Sequence, residues 1–236
     1  MRPVDKGISP YTEIDVYQDA KPYLEEKVGK YCSFCEMHVT NALAVEHKES
    51  KNSGGALKDW DNLLLGCTYC NSRKSEKIKK GDLDKWLWPD KHNTFLAFTY
   101  EGAVPKVNEE YLKTVSDEAL KRAEQLFSDI ELDYQPGKGE DEKKIRDKRW
   151  ENRFETLSIA ETTKSTWLML KNEEDRNSQI VNIVNMAKGY GFFSIWMMVF
   201  KEYDIIKRAL ITAFPGTSRS CFDKNGNPVQ RLGEIL

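Results

Sequence analysis

Two Cys-x-x-Cys pairs, Cys32/Cys35 and Cys67/Cys70, bracket a short polar set made of Glu46-His47, Asn62 and Asn71. Each pair forms a tight knuckle that offers two thiolates to one ion. Two knuckles, here 31 residues apart, complete a closed tetrahedral zinc site of four cysteines. A closed site has no position for a substrate, so its expected role is structural. Structural zinc contributes about 10–16 kcal/mol of apparent binding energy in small domains. The chemistry then falls to the residues between the knuckles. A neutral imidazole is a competent base near pH 7, which assigns His47 to water activation. A hard divalent ion such as Mg2+ takes oxygen ligands, which the Glu46 carboxylate and the Asn71 side-chain carbonyl supply. Asn62 is expected to orient the loop around His47 through side-chain hydrogen bonds. A base, a hard cation and an orienting amide are what hydrolysis of a phosphodiester requires. Neighbouring strand residues point to opposite faces, so Glu46 and His47 meet one phosphate only if the strand twists or bulges there.

The elements that must carry these groups follow from the pattern. Ala42 to Val45 and Leu63-Leu64-Leu65 are short apolar runs and predict two strands, with the polar Gly54-Gly55 loop between them. The breaker-poor stretch from Cys70 to about Lys80 predicts a helix. His47 thus closes the first strand, Asn62 opens the second and Asn71 starts the helix. Upstream, Tyr17, Ala20, Tyr23 and Leu24 predict a short helix after an N-terminal arm. Downstream, Leu112, Val115, Ala119, Ala123 and Leu126 predict one helix over 108–130, and 136–142 (PGKGEDE) predicts a loop. A charged helix with Ile145, Trp150 and Phe154 is expected from Glu142. A last helix is expected over 192–213, closed by Pro215-Gly216. The expected fold class is α+β, with segments 1–30 (arm and helix), 31–100 (metal-organised module) and 101–236 (mainly helical, partner docking).

The pattern Cys-x-x-Cys, Glu-His, loop, Asn, Cys-x-x-Cys-Asn-x-x-Lys resembles the zinc-finger-containing HNH endonucleases, which implies a ββα-metal module. By position, the resemblance makes His47 the general base, Glu46 and Asn71 metal ligands and Asn62 the orienting asparagine. Glu46 stands where that family often has Asp. Arg2-Pro3-Val4, Tyr31 to Glu36, Trp60-Asp61-Asn62, Trp88-Pro89-Asp90, Asn93-Thr94-Phe95, Ala213 to Thr217 and Cys221-Phe222-Asp223 extend the likeness. With them the chain resembles the PtuB-like HNH endonucleases, effectors of Septu and some retron anti-phage systems. That resemblance implies a PtuA-type ATPase partner. In a retron it also implies a reverse transcriptase with its RNA–DNA hybrid. Cleavage of RNA such as tRNA in the same system, or an inactive zinc adaptor on this scaffold, are the alternatives.

Charge and composition narrow the remaining classes. The net charge of −2 excludes a generally basic nucleic-acid coat, so contact with a DNA or RNA substrate must be local. Arg73, Lys74 and Lys77, followed by Lys79 and Lys80, are the expected phosphate contacts. His92 lies in a loop and is an accessory candidate at most. Trp86 and Trp88 are expected to pack on the metal module, and Cys221 to be a packed thiol. The most apolar run, 192–200, is too short to span a bilayer, and no signal segment is read, so a cytoplasmic location with no membrane contact is expected.

Overall fold

The computed structural model describes residues 1–135 and 147–236. Helix α1 (Ala20–Val28) follows a single 3-10 turn, Tyr17–Asp19. It buries Ala20, Leu24 and Val28, which recur every fourth residue on one face. Strand β1 (Ala44–His47) pairs antiparallel with β2 (Leu63–Gly66), in a register running from Ala44 opposite Gly66 to His47 opposite Leu63. All four residues of β2 are buried, which is why that strand is continuously apolar rather than alternating. Helix α2 (Thr68–Lys74) follows at once, with Cys67 as its N-cap. The result is strand, strand and helix in contact, with α1 packed against the same hairpin.

Helix α2 ends six residues before the expected Lys80. Ser75 takes a left-handed φ of 44° and turns the chain back. The turn lets Ile78 be buried, and its carbonyl accepts the Ser50 N–H at 2.7 Å, closing the loop that leaves β1.

After this module come α3 (Thr94–Ala97) and the hairpin of β3 (Phe98–Glu101) and β4 (Val104–Val107). The hairpin is absent from the sequence reading, and the expected border at 100 falls inside β3. The expected helix over 108–130 is two: α4 (Glu109–Val115) and α5 (Asp117–Asp129). Ser116 separates them, and its Oγ accepts the Ala119 N–H at 3.1 Å as an N-cap. The apolar spacing runs on across the break, which is why the sequence reads as continuous. The expected loop 136–142, the helix start at Glu142 and Ile145 lie outside the described residues. Helix α6 spans Arg149–Met169.

Helix α7 (Glu173–Tyr190) was not expected. It buries only a narrow strip, Ile183 and Ala187, while Val181 stays exposed, so its periodicity is faint. The expected helix over 192–213 is also two, α8 (Phe193–Val199) and α9 (Asp204–Ala213). The turn between them lets α8 pack on α6 and α9 on α7.

Buried residues from the N-terminal arm, the ββα module and the helical region form one continuous core. Val4 bridges Thr217, and the buried Arg2 guanidinium donates to the carbonyls of Pro215 and Val28 and to Thr217 Oγ1. Gly191, at the end of α7, docks the helices onto the first knuckle by bridging Met37. Its φ is +77°, and a Cβ there would lie 2.6 Å from the His38 nitrogen and 2.8 Å from the Glu36 oxygen. Gly191→Ala is therefore expected to lower stability by more than about 1 kcal/mol, read as a reduced denaturant midpoint.

Candidate active site

The two knuckles bring all four sulfurs of Cys32, Cys35, Cys67 and Cys70 within 4.8 Å of one another, fully enclosed. Zn–S bonds of about 2.3 Å place the sulfurs of a tetrahedron roughly 3.8 Å apart. The Cys35–Cys67 separation is 3.7 Å. The donor set and spacing therefore fit zinc. In the first knuckle the left-handed Glu36 (φ 68°) turns the chain so that the Glu36 N–H meets the Cys32 carbonyl. In the second, Cys67 Sγ accepts the Cys70 N–H at 3.5 Å. Burial opposes ionisation of Cys32, yet hydrogen bonds from Cys35, Cys67 and Cys70 outweigh it and hold that thiol well below its ordinary value.

The cysteine cluster is tied to its surroundings on two sides. Ser33 donates its N–H to the Leu65 carbonyl at 2.8 Å, joining the first knuckle to β2. Arg149, at the start of α6, donates to Cys70 Sγ at 3.5 Å. Burial disfavours that guanidinium, and the negative charge of Cys70 with Asp147 more than compensates.

Glu46, His47 and Asn71 line one cavity of about 210 Å³. β1 pairs without a bulge, and Glu46 and His47 nevertheless both line the cavity at the strand end. Gly66 also makes room. A Cβ there would lie 3.3 Å from the Glu46 Cβ and 3.8 Å from the Asn71 Cβ, so its bare backbone lets those two side chains converge.

His47 is held by one bond, from Nε2 to the Leu57 carbonyl at 3.0 Å. A carbonyl can only accept, so Nε2 carries the proton and Nδ1 keeps the lone pair in the neutral ring. Burial pushes the His47 pKa below its ordinary value, which favours that neutral form. Asn62 does not line the cavity. Its Oδ1 accepts the Glu49 N–H at 2.8 Å, and its Nδ2 donates to the carbonyls of Glu49 and Ala56. It thereby pins the loop whose next residue, Leu57, holds His47.

The expected phosphate contacts sit elsewhere. Lys74 is fully buried, with Nζ 3.0 Å from Glu46 Oε1. Burial pushes the Glu46 pKa up and the Lys74 charge pulls it back. Arg73 pairs with Asp147 at 2.9 Å and with Glu131 at 3.3 Å, and Lys77 with Asp129 at 3.3 Å. All three cations hold the fold together instead of lining the cavity. His92 is buried away from the cavity, its Nδ1 accepting the Trp88 N–H at 2.8 Å. Trp86 and Trp88 are buried against Phe34 of the first knuckle, and Cys221 is a buried thiol.

The comparison with known proteins matches this geometry. Residues 30–77 match the model of the HNH endonuclease family, a segment that contains both knuckles, β1, β2 and α2. This segment is an HNH domain. No curated protein and no solved structure matches the chain. Sequence reasoning missed the roles of four residues in and around the HNH domain. Gly66 lies inside it and carried no signal beyond being a glycine at a strand end. Asp90 is buried between Lys6 and Lys48, at 3.1 and 2.8 Å, and anchors the exit of β1. Tyr17 and Lys51 line the cavity, and neither has a motif to announce it.

Two outcomes follow. Metal analysis of the purified chain is expected to find one zinc per chain, and Cys32→Ser to lose both the zinc and cooperative unfolding. Burial and the charge of Arg122 lower the His92 pKa from 6.5 to about 4. Below pH 6.5 the unfolded chain takes up a proton that the folded state refuses, so this contribution is intact above that pH and is lost as pH falls towards 4. Denaturant midpoints of His92→Gln should fall less steeply across that window than those of the parent.

Proposed function

We propose that the protein is a metal-dependent endonuclease that hydrolyses nucleic-acid phosphodiester bonds at the Glu46–His47–Asn71 cavity. The observation that carries this reading is the tautomer imposed on His47: Nε2–H is bound to Leu57, leaving Nδ1 as the proton acceptor in a cavity shared with a carboxylate and an amide.

Glu46 and the Asn71 side-chain carbonyl offer hard oxygen donors, so a Mg2+-like ion suits them better than zinc, which the thiolates take. Such an ion supplies positive charge for the phosphate oxygens and the leaving oxygen when bound. His47 Nδ1 takes a proton from water as the water oxygen bonds to phosphorus. The opposite P–O bond then breaks, and its electron pair stays with the departing oxygen, which is reprotonated from solvent. Asn62 keeps the Leu57 carbonyl in place, so the imidazole neither flips nor changes tautomer. Lys74 holds one oxygen of Glu46 and fixes the carboxylate's orientation.

We further propose that the chain acts with a partner. Its net charge is −2, and Arg73, Lys74 and Lys77 are all ion-paired, which favours recruitment to nucleic acid over strong binding by the chain alone. A PtuA-type ATPase in an anti-phage system, with a retron reverse transcriptase and its RNA–DNA hybrid in some systems, is the partner set that the resemblance supports. Among the described residues no helix is long and apolar enough to cross a membrane.

His47→Ala is expected to keep its zinc and its melting behaviour while losing about 10²–10⁴-fold in cleavage rate. The measurement is oligonucleotide cleavage in Mg2+ or Mn2+ alongside metal content. A fully active, zinc-loaded His47→Ala protein would refute the reading.

A further inference from the structure

Tyr17 lies outside the segment that matches the HNH family, on the 3-10 turn before α1. Yet its ring meets His47 edge-on, with centroids 4.7 Å apart and planes at 66°. Lys51, on the loop that leaves β1, sets its ammonium 4.6 Å from the centre of the same ring, on the hydroxyl side, and donates to the Tyr17 hydroxyl at 2.9 Å. Tyr17 and Lys51 line the cavity together with Glu46, His47 and Asn71.

The charge on Lys51 differs from that of its neighbours. Lys74 is buried on Glu46, Lys6 and Lys48 are buried on Asp90, and Arg73 and Lys77 face carboxylates of the helical region. The contacts of Lys51 are a neutral phenol and a ring face, and among the described residues no carboxylate lies within ion-pair distance of it. A ring holds an ammonium in place without cancelling its charge. Glu76 also lines the cavity, but its Oε1 accepts from Asn52 Nδ2 at 2.7 Å, so Lys51 stands on the wall as a cation without an ion-pair partner, and its charge is felt at both Glu46 and His47.

We propose that Lys51 is a substrate contact that donates to a non-bridging oxygen of the scissile phosphodiester, and that Tyr17 is the positioning residue holding both Lys51 and His47. The inference rests on the nuclease reading given above. It assigns two roles to residues outside the expected catalytic set, one of them outside the family-matched segment. No bond is made or broken by either residue. The ammonium exchanges its phenol partner for a phosphate oxygen while it stays beside the ring.

The test uses the full zinc-loaded chain with Mn2+ and labelled duplex DNA, single-stranded DNA and RNA oligonucleotides, read as kcat and KM over a range of salt concentrations. Lys51→Met is expected to lower kcat/KM by about 10–100-fold, mostly through KM, as befits a lost hydrogen bond to a charged group. It should also make the slope of log kcat/KM against log salt shallower by about 0.7–0.9, the signature of one lost phosphate contact. Lys51→Arg should retain the parental slope. Tyr17→Leu should lower kcat through the loosened imidazole, and Tyr17→Phe, which keeps the ring, should lose less. An unchanged salt slope in Lys51→Met, or parental kinetics in Tyr17→Leu, would overturn the inference while leaving the nuclease reading standing. If the parent cleaves none of the three substrates, or does so no faster than His47→Ala, the nuclease reading falls and this inference falls with it.

Discussion

Four thiols gathered at the meeting point of two turns set the position of almost everything else in the N-terminal half. A hairpin of two four-residue strands and a seven-residue helix has too little apolar surface to fix its own geometry. The knuckles remove that freedom. Ser33 fastens the first knuckle to β2, Cys67 caps α2, and Cys70 anchors Arg149 from the helical region. Because α2 begins inside the second knuckle, the same constraint that orders the sulfurs also places Asn71 beside Glu46. A metal that never meets substrate can thus decide where the substrate's metal would sit.

The second constraint is electrostatic. Charged groups buried around the cavity are there because each has a partner: Glu46 with Lys74, Asp90 with Lys6 and Lys48, Arg149 with Asp147 and the thiolates. Breaking such a pair strands a charge in a poorly solvated place, at a cost of roughly 3–5 kcal/mol. These pairs specify geometry more than they add stability. Between them the His47 ring is steered by a neutral chain of contacts, from the Asn62 amide through the pinned loop to the Leu57 carbonyl. Neutral steering gives His47 Nε2 a carbonyl partner in place of a carboxylate, which would favour the protonated ring.

The helical region completes the HNH domain as well as following it. Helix α6 brings Arg149 to the sulfur cluster, Gly191 docks α7 onto the first knuckle, carboxylates at 131 and 147 engage Arg73 of α2, and Asp129 engages Lys77 just beyond it. One core runs through both parts. The consequence for substrate is direct: positive charge that would face a nucleic acid in an isolated ββα unit is neutralised from within. On the cavity wall itself stands Lys51, which donates to a phenol instead of pairing with an acid.

The sequence by itself determined the parts whose chemistry is local. Two Cys-x-x-Cys pairs dictate a shared ion because each pair fixes its own turn. The short apolar runs Ala42 to Val45 and Leu63 to Leu65 announce strands, the first of which forms over Ala44–His47. The α1 face and the buried line through Leu112, Ala119, Ala123 and Leu126 are written as periodicity. Tertiary structure decided the rest, and for identifiable reasons. Helix breaks at Ser75, Ser116 and Phe200 leave the apolar spacing intact, so only packing reveals them. The β3–β4 hairpin and α7 have too little one-sided burial to leave a pattern. The fate of Arg73, Lys74 and Lys77 depended on carboxylates at 46, 129, 131 and 147, which no window of sequence places nearby. Tyr17 reached His47 for the same reason: a contact across thirty positions is made by the fold, and a lone tyrosine before a helix carries no sign of it.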